Sequence, residues 1–294
     1  MFSVVIPLFN KEKTIDRTIK SVLNQSYGNF ELIVVNDGST DNSLSIVRLI
    51  NDRRIKIIDK KNGGESSSRN AGILASQYKY IAFLDADDYW APKYLETMIE
   101  LIMDYPLASF YGSQFLSVNC ATQKIVNEKH SIRGYVENYY KKQMIAPLVC
   151  SSNIIVKKEC FEQIGYFNTI FKRGGDLEMW ARLADNFKLA FEPVPLSYYV
   201  LDAENRACNN IPPLDNFYLE FKLSNKAFIQ KKYFLYLASS VVIEMILKKN
   251  YINAFKILFR YNLYTIIIIF FIIKKIFTTK REKLFKSNQQ NELC

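Results

Sequence analysis

Tyr80-Ile81-Ala82-Phe83-Leu84-Asp85-Ala86-Asp87-Asp88 is an apolar run that ends in three carboxylates within four positions. A short, continuous apolar run of this kind reads as a strand buried on both faces. The same pattern recurs upstream. Phe2 to Pro7, Phe30 to Asn36 and Ile55 to Asp59 are further apolar strands. Between them, Ile15, Ile19, Val22 and Leu23, and then Leu44, Val47 and Ile50, recur at helical spacing. Ser66 to Ser76 reads as a helix, and Pro92 is expected to open another at its first turn. Such alternation predicts an α/β fold: a mostly parallel sheet with right-handed crossovers and helices on both faces. In open sheets of this type the ligand sits beyond the carboxyl ends of the strands.

The polar residues obey that rule. Pro7-Leu8-Phe9-Asn10 follows the first strand and Asp37-Gly38-Ser39 the second. Arg69 opens the helix after the third, and Asp85-Ala86-Asp87-Asp88 closes the fourth. If the chain stays extended, Asp85 and Asp87 point the same way. Like charges this close repel, and one takes up a proton unless a cation neutralises them. Hard divalent ions such as Mg²⁺ or Mn²⁺ prefer oxygen ligands and leave positions for a diphosphate. The alternative is a solvated turn in which Asp88 caps the helix at Pro92.

Asp37 reads either as a turn residue or as an acceptor for the imide N–H of uracil, with Phe9 as a stacking face worth about 1–3 kcal/mol. Arg69, near Gly63-Gly64 and a helix N-terminus, reads as an anion site or a surface arginine. Farther on, Leu177, Trp180 and Leu183 share a helical face. Asp176 is either that helix's first-turn acid or a general base. Trp180 is either packing or the wall of an acceptor site.

Taken in order, Ser3 to Asn10, Val35 to Ser43, Gly63-Gly64 to Gly72, Leu84 to Trp90 and Gly175 to Leu183 resemble the successive signatures of family 2 glycosyltransferases with the GT-A fold. The resemblance covers about residues 1–200. It implies a nucleotide-diphosphosugar donor, usually UDP-linked, with Pro7, Phe9, Glu12 and Asp37 around the nucleoside. Arg69 is then implied near base or phosphates, Asp85 at the ribose, Asp87 and Asp88 at Mn²⁺ or Mg²⁺, and Asp176 as catalytic base of an inverting transfer. One departure stands out: Gly175 occupies the position before the base, where the family often has Glu.

Composition bounds the setting. Apolar residues make up 49% of the 294 residues and charged residues 23%, the balance of a folded protein. Five cysteines are scattered, without a Cys-x-x-Cys pair, and Met1 leads straight into the first strand without a basic signal segment. A reducing cytoplasm is the expectation. A single histidine, His130, argues against a zinc site or a histidine-based triad. From Lys222 onward fourteen Lys and Arg face only Glu244, Glu282 and Glu292, so the whole-chain charge of +10 belongs to the tail.

The expected division is a catalytic domain over 1–212 and a C-terminal basic, apolar helical extension over 213–294. In the extension, Phe234 to Leu247 and Leu263 to Ile273 are apolar but shorter than the ~20 residues that span a bilayer. Lys274, Lys275, Lys280 and Arg281 border the second run. Short apolar helices with basic borders suit an anionic membrane surface. A peripheral place at the inner face of the plasma membrane, with a glycan or lipid-linked acceptor, is therefore expected. A helical bundle is the alternative for the tail. Nucleic acid is not an expected partner, because the basic residues accompany long aliphatic runs.

Three rival functions are weaker. A sugar nucleotidyltransferase would want a glycine-rich loop after the first strand, and Phe9-Asn10-Lys11-Glu12 has no glycine. A processive synthase would want Gln-x-x-Arg-Trp, and Trp90 and Trp180 are in no such motif. A non-catalytic nucleotide-binding protein would not need every acid that is present.

Overall fold

The computed structural model describes residues 1–122, 124–126, 130–206, 209, 226–261 and 264–273. The chain forms two compact units, Met1–Ala207 and Cys208–Cys294. The boundary expected at 212/213 lies outside the described residues.

The first unit begins as the periodicity predicts. Strands β1 (Phe2–Leu8), β2 (Phe30–Asn36), β3 (Ile55–Asp59) and β4 (Tyr80–Phe83) alternate with helices α1 (Ile15–Leu23), α2 (Ser43–Leu49) and α3 (Glu65–Ala75). There follow β5 (Tyr89–Trp90), α4 (Tyr94–Asp104), β6 (Phe110–Asn119), β7 (Lys124–Val126) and β8 (Gly134–Tyr135). The unit ends with α5 (Tyr139–Ile145), β9 (Ile154–Lys157), α6 (Lys158–Ile164), α7 (Gly175–Asn186) and β10 (Leu189–Val200). Pro92 does not open α4; two residues of strand intervene after the acids and the helix begins at Tyr94.

The sheet order is β3-β2-β1-β4-β9-β6-β10-β5, with β7 on β6 and β8 on β10. The four strands from β3 to β4 are parallel, but β9 runs antiparallel to both β4 and β6, and β5 antiparallel to β10. The sheet is therefore mixed, with its long pairings, β1–β2 and β6–β10 among them, parallel and its short ones antiparallel. Its N-terminal half is parallel because each of the crossovers there is a helix.

The strand order explains the position of the acids. Consecutive strands β4 and β5 are separated by β9, β6 and β10, so the chain from Leu84 to Asp88 makes a switch across the sheet. It cannot run on as strand. The Asp88 N–H bonds back to the Asp85 carbonyl at 3.1 Å, a turn that replaces the expected extended Asp85–Asp87 geometry. The core beneath includes Val4, Ile6, Leu8, Leu32, Val34, Ala82 and Leu84, all shut off from solvent.

One contact fixes α3 on that core. A Cβ at Gly72 would lie 2.3 Å from Cγ1 of Val5, so only glycine lets the helix approach β1 this closely. In the second unit, α8 (Phe228–Leu247) buries Phe234, Leu235, Ala238, Val241, Val242 and Met245, so one face of the Phe234–Leu247 run is core. Helix α9 (Tyr251–Tyr261) instead exposes Tyr251, Ile252, Phe255 and Phe259. Among the described residues no helix is long and apolar enough to cross a membrane.

Gly72→Ala is expected to destabilise the first unit by about 1–3 kcal/mol, the usual cost of overpacking, despite a helix-propensity gain of about 1 kcal/mol. Urea unfolding of the full chain measures it; a variant as stable as the wild type would contradict the tight α3–β1 contact.

Candidate active site

The ends of β1 and β2 form one wall. Pro7 is buried inside β1, while Phe9, the first residue beyond it, is 43% exposed. Asn10 links this loop to the next: its side-chain carbonyl accepts from the Thr40 N–H at 2.8 Å. Glu12 accepts from the backbone and side-chain N–H groups of Asn42, both at 3.0 Å, and so fastens the β1 loop to the start of α2.

Asp37 is buried at the end of β2. Its carboxylate accepts from the Lys60 ammonium, from the Gly63 N–H at 2.9 Å and from the Gly64 N–H at 2.8 Å. A carboxylate has about four acceptor positions. Three are engaged in shaping the glycine turn that leads into α3, and one remains.

Arg69, on α3, is not on the surface. It is buried, and its Nη2 donates to Glu65 and, at 2.8 Å, to Asp85. Burial alone would lower its pKa, but Glu65, Asp85 and Asp176 more than offset that and hold the guanidinium charged. Its Nε has no hydrogen-bond partner.

The three clustered acids have three different environments. Asp85 is partly exposed; burial pushes its carboxyl up to about 6 against the pull of Arg69, with Glu65 and Asp87 adding to the rise. Asp87 pairs with the Lys11 ammonium at 2.8 Å, and its backbone carbonyl accepts from Arg17 at 2.9 Å. Asp88 is sealed. One of its oxygens accepts from the Ser152 hydroxyl and the other from the Val200 N–H at 2.8 Å. Burial, then the neighbouring Asp87 and Asp85, raise its pKa well above the usual carboxylate range.

Asp176 lies in the first turn of α7, within electrostatic range of Arg69 and Asp85. Burial raises its pKa, and Arg69 opposes the rise. Gly175 has a clear reason here. A Cβ on it would stand 2.6 Å from the Ser66 hydroxyl, so a bare backbone is what lets α7 start against α3, beside Arg69. Glu178 forms a two-pronged ion pair with Arg182, at 2.7 and 2.9 Å. Trp180 is fully buried between Phe83 and Phe167, which makes it core rather than a wall of the cleft.

Ser152 was not legible as a site residue. Besides holding Asp88 it accepts from the Asp85 N–H at 3.1 Å, and its carbonyl accepts from the Trp90 indole at 2.7 Å and from Ser197 at 2.7 Å. Nothing periodic or charged marks Ser151-Ser152-Asn153; the only clue is a polar triplet before an apolar strand.

Among the described residues no three or more His, Cys, Asp or Glu side chains form a ready-made metal cage. The donor chemistry nevertheless fits a hard divalent cation. Asp85 and Asp87 supply carboxylate oxygens, the hard donors that such an ion prefers. Asp85 and Asp87 are the accessible oxygens; both oxygens of Asp88 are already accepting hydrogen bonds inside the fold.

The model of Glycosyl transferase family 2 matches residues 3–165. A glucosyltransferase of Escherichia coli named as acting on α-D-GlcNAc-diphosphoundecaprenol with UDP-Glc is 34% identical over 128 residues, 43% of this chain and 51% of that protein. An uncharacterized glycosyltransferase of Rickettsia bellii is 45% identical over 101 residues, 34% of this chain and 15% of that one. The chain thus spans about half or less of the length of these relatives. Among solved structures, Staphylococcus aureus TarS in complex with UDP-GlcNAc superposes with a TM-score of 0.59 at 21% identity, covering 83% of this chain and 66% of that one. That likeness shows the GT-A fold.

The raised Asp85 pKa has a stability consequence. The folded chain retains a proton that an unfolded chain, with an ordinary carboxylate near 4, has released. Acidification from about 6 to about 4 therefore stabilises the wild type relative to Asp85→Asn, which has no proton to bind. Thermal unfolding of both proteins at several pH values measures this, and a pH-independent difference would show that Asp85 titrates normally.

Proposed function

The chain belongs to glycosyl transferase family 2, and on that premise we propose that it is an inverting transferase moving a sugar from a UDP-sugar to an acceptor hydroxyl. The observation that carries the reading is the position of Asp176: a partly buried carboxylate at a helix start, within electrostatic reach of both Asp85 and the buried Arg69 guanidinium.

In this reading the uracil stacks on exposed Phe9, and the remaining acceptor position of Asp37 takes its imide N–H. Pro7 and Glu12 fix the loop that carries Phe9. Asp85 meets the ribose. Asp87, with Asp85, holds Mn²⁺ or Mg²⁺, and Asp88 keeps the turn in place through Ser152 and Val200. When bound, that cation offsets the charge developing on the departing diphosphate. Arg69 stabilises the acids from below and stays charged throughout.

Asp176 accepts the acceptor hydroxyl's proton as the new bond forms. A carboxylate is a weak base toward a free alcohol, so the transfer is late and concerted with attack. The attack comes from the face opposite the leaving group and inverts the anomeric carbon. Burial raises the basicity of Asp176, which favours this role.

The acceptor proposed is a glycan or lipid-linked saccharide, the enzyme working on the cytoplasmic side as a peripheral protein at the inner face of the plasma membrane. Helix α9 supports this: Phe255 and Phe259 are exposed, and Lys248, Lys249, Lys256 and Arg260 lie on or beside it. An exposed apolar face bordered by cations matches an anionic interface. Lys274, Lys275, Lys280 and Arg281, which the sequence reading also assigns to the membrane, lie outside the described residues.

Asp176→Asn is expected to lower turnover about 10²-fold or more while UDP affinity stays near wild type. Steady-state kinetics and calorimetry check the two halves; an active variant would remove the base assignment, and the Arg182 pair makes Glu178 a poor substitute. For the tail, binding of the full chain to phosphatidylglycerol vesicles should weaken as salt rises, exposed charges being screened within ~10 Å at 0.1 M. Phe255→Ser with Phe259→Ser should weaken it further, leaving donor hydrolysis unchanged. Vesicle binding equal to wild type would contradict the membrane reading of α9.

A further inference from the structure

Two cations serve the acidic cluster, and they are held differently. Arg69 is locked: its side chain is 2% exposed and its guanidinium engages Glu65 and Asp85 together. Lys11 is a point charge on a flexible stem at the rim of the cleft, 12% exposed, with its ammonium on Asp87. The same ammonium donates to the backbone carbonyl of Glu204, in the segment that follows β10. That segment is fastened to the β1 loop at two more points. The Glu204 carboxylate accepts from the Lys13 N–H at 2.8 Å, and the Asn205 side chain donates to the Asn10 carbonyl at 3.0 Å.

The backbone of Lys11 is fixed, because its N–H donates to Ser43 at 2.7 Å. Its side chain is held apart from this, by the Asp87 carboxylate and the Glu204 carbonyl. A divalent cation on Asp87 would meet a positive charge 2.8 Å from the same carboxylate. The two cannot share it without strong repulsion.

We infer that Lys11 is an exchangeable counter-cation of the donor site: it competes with the divalent cation for Asp87, and its displacement removes one of the three ties between the β1 loop and the segment after β10. The inference rests on the proposed metal role of Asp87. It adds that the protein sets its own threshold for metal binding, through a lysine, and couples metal arrival to the loosening of a segment that ties down the β1 loop. The displaced ammonium is left beside the cleft, where the diphosphate of the donor supplies the next anionic partner.

The test uses the full chain and Mn²⁺ alone, followed by electron paramagnetic resonance of the free ion. Lys11→Met should bind Mn²⁺ at least about tenfold more tightly than wild type, because the competing charge is gone. Asp87→Asn should bind it far more weakly. Hydrogen exchange gives a readout independent of activity: in wild type, Mn²⁺ should speed exchange at the Lys13 amide, which donates to the Glu204 carboxylate. In Lys11→Met that amide should already exchange faster without the ion. Glu204→Ala, which removes the acceptor of the Lys13 amide without touching Asp87, should show the same fast exchange at Lys13 and a smaller gain in Mn²⁺ affinity. Equal Mn²⁺ affinity in wild type and Lys11→Met, or exchange in wild type that ignores Mn²⁺, would overturn the inference. If neither protein binds Mn²⁺ while both bind UDP, the metal reading of Asp87 fails first and this inference falls with it.

Discussion

A single buried guanidinium holds the candidate site together. Arg69 is reached from the end of β4 by Asp85, from its own helix by Glu65 and through the field of Asp176 from α7, and Phe167 lies against it at 5.5 Å. Removing one partner of a buried ion pair typically costs about 3–5 kcal/mol, because the other charge is left uncompensated. The surrounding architecture serves this placement. Gly72 lets α3 close on β1, Asp37 shapes the turn that begins α3, and Gly175 lets α7 begin against it. Three local constraints thus converge on one charge.

Electrostatic compensation then sorts the acids by role. Asp37, Asp85 and Asp87 each meet a cation, from Lys60, Arg69 and Lys11. Asp88 meets only neutral donors, the Ser152 hydroxyl and the Val200 amide. A carboxylate held by a hydroxyl and a backbone N–H deep in the fold is a strut for the turn. A carboxylate paired with a lysine ammonium nearer the surface is the one proposed to exchange its partner. The three neighbouring aspartates are therefore not equivalent, although they look so as letters.

Much of this was legible in the residues. The first three strands and their helices fall within a residue or two of where apolar periodicity puts them, since buried parallel strands read as continuous runs. The parallel half of the sheet followed from alternation; the antiparallel insertion of β9 did not, because pairing partners far apart in sequence leave no local pattern. The Asp85–Asp88 turn escaped for the same reason: it exists because β5 pairs with β10, more than a hundred residues away. Ser152 carries no periodic or charge signal, and Gly175 looked like a loss until Ser66 was seen beside it. In the tail, an apolar run could not say which of its faces would be covered. Packing decided that α8 is core while α9 shows its aromatic residues.

In the proposed reading, one site built around Arg69 receives a UDP-sugar and presents Asp176 to the acceptor. The most direct measurement is a crystal structure of the full chain with UDP and Mn²⁺. The expected result is uracil on Phe9 with its imide edge at Asp37, the ion bonded to Asp87, and Asp176 facing the space beyond the β-phosphate. A nucleotide seated away from Phe9 and Asp37, or Asp176 turned from the diphosphate, would contradict it.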